Sequence, residues 1–156
     1  MPRRFSAGFD GGSRGNPGPA AWGVVVLDDD ARPVEGFAGT IGRATNNVAE
    51  YNGLLEALAL AAERGAVEVS LRADSELVVK QMRGEYRVRH PDLIPLHAEA
   101  SRRAARFSRF TIDHVGREQN RDADRLVNRA LDRLARGEGA PASRIHERFD
   151  AGTPAE

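Results

Sequence analysis

The first short stretch of the chain constrains its fold more than any other. Between Phe5 and Asp10 the residues alternate, with Phe5, Ala7 and Phe9 on one side of a period-two pattern. This alternation predicts a β-strand whose last residue is the carboxylate Asp10. Residues 11–19, rich in Gly, Asn and Pro, predict a loop with free backbone N–H groups that a phosphate backbone can approach. An Asp-Gly pair also occurs in plain turns, so the pattern needs support from elsewhere in the chain.

The remaining pattern predicts alternating strands and helices. The short connection between the second and third strands implies an antiparallel hairpin, whereas the later strand–helix–strand order implies parallel neighbours joined by a right-handed crossover. We expect strands at residues 5–10, 21–27, 34–41, 67–74 and 107–115, and helices at residues 48–64, 76–82, 96–106 and 121–135. These elements predict an α/β domain.

Three further carboxylates stand in unusual positions. Glu50 and Asp124 each lie near the start of a predicted helix, on its apolar face, where an unpaired charge is costly to bury. Asp74 ends the fourth strand, and a parallel crossover would place it beside Asp10 at one edge of the sheet. Each acid has an ordinary explanation: first-turn acids favour the helix dipole, and Asp74 before Ser75 suits a helix cap. Coincidence of all four is much less probable than any single case.

Clustered carboxylates repel one another, and hard cations make such a cluster tolerable. We therefore expect Mg²⁺, with Mn²⁺ as a substitute. Two such ions about 3.5–4 Å apart would clamp the attacking water and the leaving oxygen of an in-line phosphoryl displacement. This chemistry needs no nucleophilic serine or cysteine.

Four blocks of sequence, in order and suitably spaced, resemble the signature blocks of type 1 ribonuclease H. They are Asp10–Pro19, Thr45–Tyr51, Asp74–Ser75 and Asn120–Asn128, within a match that covers about residues 4–135. The resemblance implies a ribonuclease H-like fold: a five-stranded mixed sheet, its second strand antiparallel to the rest, with helices on both faces. It also implies an endonuclease that hydrolyses the RNA strand of RNA·DNA hybrids and leaves 5′-phosphate and 3′-hydroxyl ends.

The resemblance assigns roles to individual residues. The metal ligands would be the four acids Asp10, Glu50, Asp74 and Asp124. The residues that contact substrate would be Gly11, Gly12 and Asn16 on the RNA strand, Asn46 and Asn47 in the minor groove, and Thr45 at a DNA phosphate. An A-like duplex is read by shape and by its 2′-hydroxyls, which agrees with these assignments.

The chain departs from many relatives in two places. A basic helix that grips the hybrid is replaced by the short loop Arg83–Pro95, which predicts weaker binding. The histidine that precedes the last acid is absent, and Arg117 takes its place, where we expect it to contact the scissile phosphate or to help product leave. His114 is expected to be structural. This short form is similar to archaeal-type enzymes and to actinobacterial N-terminal ribonuclease H domains, some of which also cut RNA·RNA duplexes.

Composition sets the outer bounds. The 156 residues contain no cysteine, which excludes disulfides, zinc–thiolate sites and thiol catalysis. Charge is balanced at 23 basic and 23 acidic residues, which argues against a purely electrostatic nucleic-acid binder. No apolar run or signal segment predicts membrane contact, so a cytoplasmic protein is expected. We also expect a monomer. We expect a ribonuclease H domain at residues 1–136 and a flexible tail or linker at 137–156. A non-catalytic hybrid-binding module and a nuclease acting on DNA are the competing functions.

Overall fold

One mixed β-sheet organises the computed structural model, which describes residues 3–138 and 144–149. The strands are β1 (Arg4–Ser13), β2 (Gly18–Leu27), β3 (Pro33–Ala44), β4 (Glu68–Ala73), β5 (Arg109–His114) and β6 (Ile145–Arg148). The helices are α1 (Asn46–Glu63), α2 (Glu76–Met82), α3 (Ile94–Ala104) and α4 (Arg121–Ala135), with a 3₁₀ turn at Arg117–Asn120. Across the sheet the strand order is β5-β4-β1-β2-β3-β6.

The sheet is buried on both faces at its centre. Trp22 and Val24 of β2 pack into the core beneath α1, α2 and α3, whereas Ala21 and Val25 pack beneath α4 on the opposite face. This explains why β2 is a nearly continuous apolar run rather than an alternating one. β2 is antiparallel to β1 and β3, and β4 is parallel to both β1 and β5.

The expected five-stranded sheet is wrong, because a sixth strand completes it. β6 pairs antiparallel with β3. It lies within the segment 137–156, whose Gly, Ala and Pro content suggested a tail. Ile145 is 6% exposed and joins the core beneath α4. Glu147 accepts hydrogen bonds from Arg125 at 3.3 Å and Arg129 at 3.1 Å, which fixes the strand to α4. The domain boundary at residue 136 stays a prediction.

β1 is longer than the sequence pattern predicts, and its extra length shapes one edge of the sheet. Its pairing with β4 ends at Gly8 and Arg72, but its pairing with β2 continues as far as Ser13. Asp10 is therefore inside the strand rather than at its end. Since β4 stops at Ala73, the sheet edge has a recess at the level of Asp10.

No helix among the described residues is both long and apolar enough to cross a membrane.

Candidate metal centre

Three carboxylates meet in the recess at the end of β4. Asp10 extends from β1 and is 6% exposed, Glu50 lies near the start of α1, and Asp74 directly follows β4. One carboxylate oxygen from each lies within 4.8 Å of the other two. We call these three residues the acid cluster. The structure thus brings together three side chains that are separated by 64 positions in the chain.

Close packing of α1 against β1 places Glu50 in the acid cluster. Thr45 caps the helix, with its Oγ1 accepting a hydrogen bond from the Val48 N–H at 3.2 Å. A Cβ atom at Gly11 would lie 2.1 Å from the carbonyl oxygen of Ala49 and 2.4 Å from the Glu50 nitrogen. Only glycine allows the two backbones to approach this closely. Gly11 is buried, so the structure gives it a packing role, while its predicted contact with RNA stays a prediction.

The acid cluster holds its protons more tightly than free carboxyls do. Burial, followed by repulsion from Asp74, raises the pKa of Asp10 to about 7, and the charge of Asp124 adds to this effect. Burial, followed by repulsion from Asp10, raises the pKa of Glu50 well above its ordinary value. Hydrogen bonding to the Gly11 backbone lowers both pKa values but only partly offsets these effects. The cluster is therefore strained when it is fully ionised.

The donor set fits a hard divalent cation. Glu50 Oε2 is buried and has no hydrogen-bond partner within the described part of the chain. A buried oxygen without a partner is costly, and a cation would satisfy it. All three candidate ligands are carboxylates, which Mg²⁺ and Mn²⁺ prefer over softer ions. Binding would also neutralise the repulsion that raises the pKa values.

Asp124, the fourth predicted ligand, stands slightly apart. It is exposed on α4 and lies outside the acid cluster, although its charge raises the pKa of Asp10. It borders the same cleft of about 590 Å³. Other residues that border this cleft are Gly12, Ser13, Arg14, Asn46, Arg117, Glu118, Arg121 and Asn128. The structure therefore places all four acids in one cleft, with three of them in close contact.

Arg117 borders the cleft from the 3₁₀ turn before α4. Its side chain is exposed and makes no ion pair or hydrogen bond with any residue that the structure describes. A guanidinium in this position is available to an incoming phosphate. His114, at the end of β5, is exposed and does not border the cleft.

Three predicted substrate-contacting residues, Asn16, Asn46 and Asn47, lie together with Ser13, and we call these four residues the rim. Asn16 Oδ1 accepts a hydrogen bond from the Asn46 N–H at 3.0 Å. Asn46 Oδ1 in turn accepts from the Ser13 N–H at 2.9 Å and from its hydroxyl at 3.1 Å. The amide nitrogen of Asn46 is thereby turned away from these contacts. Asn47 is exposed beside it at the start of α1.

Sequence reasoning missed Arg14, which follows Ser13 in the chain and borders the cleft. Its Nη2 donates to Asp132 Oδ1 at 2.6 Å and to the Asn128 carbonyl at 3.4 Å, and these contacts join the loop after β1 to α4. The sequence feature that could have pointed to Arg14 is that it is a single arginine inside a Gly-rich loop.

The chain is similar to proteins of known family. A family model described as Reverse transcriptase-like matches residues 8–130. Bifunctional protein Rv2228c of Mycobacterium tuberculosis is 48% identical over 134 residues, which are 85% of this chain and 37% of that protein. Ribonuclease HI of Halobacterium salinarum is 47% identical over 129 residues, which are 83% of this chain and 65% of that protein.

Solved structures are similar over most of the chain. The N-terminal RNase H domain of Rv2228c, solved as a fusion with maltose binding protein, has a TM-score of 0.81 at 46% identity and covers 86% of this chain and 98% of that one. LC11-RNase H1 in complex with RNA/DNA hybrid has a TM-score of 0.79 at 39% identity and covers 84% and 99%. The chain spans about a third of the mycobacterial relative and about two thirds of the halobacterial one.

Proposed function

The chain belongs to the type 1 ribonuclease H family, and from that premise we propose that it is a metal-dependent endonuclease cutting the RNA strand of RNA·DNA hybrids. The observation that carries this proposal is the acid cluster, whose carboxylate oxygens lie within 4.8 Å of one another. The LC11-RNase H1 structure contains an RNA/DNA hybrid, which supports the same substrate class. Because the chain spans only part of its curated relatives, the proposal concerns the activity of this domain.

The four acids would hold two divalent ions, Mg²⁺ or Mn²⁺. When bound, such ions lower the pKa of water and stabilise charge on the leaving oxygen of an in-line displacement. Asp10 is 6% exposed and feels the charges of both Asp74 and Asp124, so it would be one of the ligands. Attack of a water oxygen on phosphorus, with breakage of the bond to the 3′ oxygen and protonation of that oxygen, would leave 3′-hydroxyl and 5′-phosphate ends.

Arg117 would contact the scissile phosphate or assist release of the cut strand. Its exposed guanidinium on the cleft border supports this role. Arg117→Ala should lower turnover about tenfold while divalent-ion binding is unchanged, as expected for loss of one charge-assisted contact. Arg106→Ala, which removes an exposed arginine beyond the end of α3, is the matched control. Unchanged turnover in Arg117→Ala would remove this role.

The rim would distinguish the RNA strand from DNA. Asn16, Asn46 and Asn47 offer short amide side chains to the shallow minor groove, where the 2′-hydroxyl can donate and accept hydrogen bonds. Asn46 Oδ1 is engaged by Ser13, which would leave the Asn46 amide N–H groups for the substrate. Gly12 keeps the approach open, and Thr45 would meet a phosphate of the DNA strand.

Cleavage of strand-labelled duplexes tests the proposal. We expect Mg²⁺-dependent cutting of the RNA strand in an RNA·DNA hybrid, no cutting of the DNA strand, and no cutting in EDTA. Asp10→Asn should abolish cleavage, whereas Asp29→Asn, an exposed acid in the β2–β3 turn, should cut normally.

Three outcomes would change the proposal. Hybrid binding without cleavage would favour a binding module, and cutting of a DNA duplex at the same rate would overturn the substrate class. Equal cutting of an RNA duplex would widen that class, since an RNA duplex presents the same A-like shape and 2′-hydroxyls.

A further inference from the structure

A half-buried arginine lies on the strand that leads to the acid cluster. Arg72 is on β4, in register with Gly8 of β1 and two residues before Asp74. Its Nη2 donates to the Gln119 carbonyl at 2.8 Å, but its Nε is buried with no hydrogen-bond partner in the described residues. Burial lowers the pKa of the guanidinium, while the charge of Asp122 opposes this shift. An apolar side chain would fill the space without this desolvation cost.

Asn120 makes a second connection at the same place. It is 3% exposed, and its Nδ2 donates to the Phe9 carbonyl at 2.8 Å. A Cβ at Gly8 would lie 2.7 Å from Asn120 Oδ1, so a larger residue at position 8 would displace the Asn120 side chain. Phe9 directly precedes Asp10 in β1. Residues 119 and 120 are thus tied to the two strands that lead to the acid cluster.

These contacts act where α4 begins. Asn120 is the residue before the first residue of α4, and Asp124 lies about one turn further along. Arg117 belongs to the 3₁₀ turn that the same contacts hold. Asp124 is exposed and outside the acid cluster, so its own side chain does not set its distance from Asp10. That distance is set by how α4 is held: by packing of Ala123 against Gly23, where a Cβ would lie 2.7 Å from the Ala123 carbonyl oxygen, and by the contacts of Arg72 and Asn120 at the start of the helix.

We propose that Arg72 and Asn120 are positioning residues: by anchoring the start of α4 to β1 and β4, they set Asp124 at the distance from Asp10 that metal binding requires. The kinetic part of this inference rests on the proposed function, whereas its metal-binding part does not. Supporting side chains around metal ligands typically change affinity or activity by about 10- to 100-fold when they are removed.

Mn²⁺ binding, measured by electron paramagnetic resonance on the full chain, gives the first readout. Arg72→Met keeps the length of the side chain but removes the guanidinium. We expect it to weaken Mn²⁺ binding and to lower kcat, each about tenfold, with KM for hybrid within about twofold. Arg72→Lys keeps a donor for the Gln119 carbonyl and should recover part of both losses. Arg109→Met, on neighbouring β5, removes an exposed arginine that has no ion pair with the described residues and should change neither value.

A double-mutant cycle with Asp124→Asn separates positioning from general stability. If Arg72 acts through Asp124, then Arg72→Met should weaken Mn²⁺ binding by less than about twofold in the Asp124→Asn background. A full tenfold effect in that background would overturn the inference. So would a lowered melting temperature with unchanged Mn²⁺ affinity.

Asn120→Ala removes the hydrogen bond to the Phe9 carbonyl and can be combined with Asp124→Asn in the same double-mutant cycle. This second cycle tests the positioning role if Arg72→Met does not fold. The same two results, a loss that persists without Asp124 or no loss at all, would refute the inference. If wild-type protein fails to cut hybrid while the Mn²⁺ cycle behaves as expected, the proposed function is wrong and the positioning role stands.

Discussion

Replacing Asp10 by Asn should stabilise the metal-free protein, and the gain should depend on pH. The pKa of Asp10 is raised from 3.8 to about 7, first by burial and then by repulsion from Asp74. That difference of about 3 pH units corresponds to at most ~4 kcal/mol of folding free energy. Because the folded state binds the Asp10 proton more tightly, the stabilisation that this proton contributes is complete below pH 3.8 and is lost as pH rises through about 7. Asn has nearly the same shape and no charge, so it avoids the loss.

Urea unfolding followed by circular dichroism in EDTA measures this effect. We expect Asp10→Asn to differ little from wild type near pH 4 and to be more stable by a few kcal/mol, with ~4 kcal/mol as the upper bound, near pH 8. Added Mg²⁺ should reduce the difference, since it stabilises wild type more. The control Asp29→Asn changes an exposed acid and should show no such trend. A gain that is absent near pH 8, or equal at both pH values, would refute the reasoning.

Three other predictions concern packing, an ion pair and binding. Gly11→Ala should lower the free energy of unfolding in urea by at least ~3 kcal/mol, because its Cβ would lie 2.1 Å from the α1 backbone. The control Gly12→Ala should lower it by under ~1 kcal/mol, because the nearest atom to a Cβ there is 3.6 Å away. The pKa of Glu35 is lowered chiefly by hydrogen bonding to Arg64. Glu35→Gln should therefore cost about 1 kcal/mol near pH 7, and the cost should shrink as pH falls below 4.5. A cost that does not change with pH would contradict this. Hybrid binding, measured against salt, should be weaker than in relatives that carry a basic helix at the position of loop 83–95, and equal affinity at moderate salt would contradict the expectation.

The acid cluster could be anticipated because each carboxylate departs from its local pattern. Glu50 heads an apolar helix face, and Asp10 and Asp74 follow buried strand residues. The two-residue period of a strand and the 3.6-residue turn of a helix show in the sequence where a charged residue falls at an apolar position. They do not give distances, so the sequence could not show that Asp124 lies outside the cluster that the other three form.

The sixth strand was missed because its partner is distant and its surroundings resemble a linker. Three polar residues separate Ile145 from Phe149, and Gly, Ala and Pro dominate the segment before them. Pairing with β3, about 110 positions earlier, creates the strand. The extension of β1 to Ser13 has a similar origin, because pairing with β2 overrides the low strand propensity of Gly11 and Gly12.

Calorimetric titration of Mg²⁺ into the metal-free protein tests most directly whether the acid cluster is a metal centre. Asp10 and Glu50 hold protons unusually tightly, so binding near pH 6 should expel protons, seen as a dependence of the heat on the buffer. We predict saturable binding with proton release in wild type and loss of both in Asp10→Asn. Absence of saturable binding in wild type, or binding and proton release that persist in Asp10→Asn, would contradict the account.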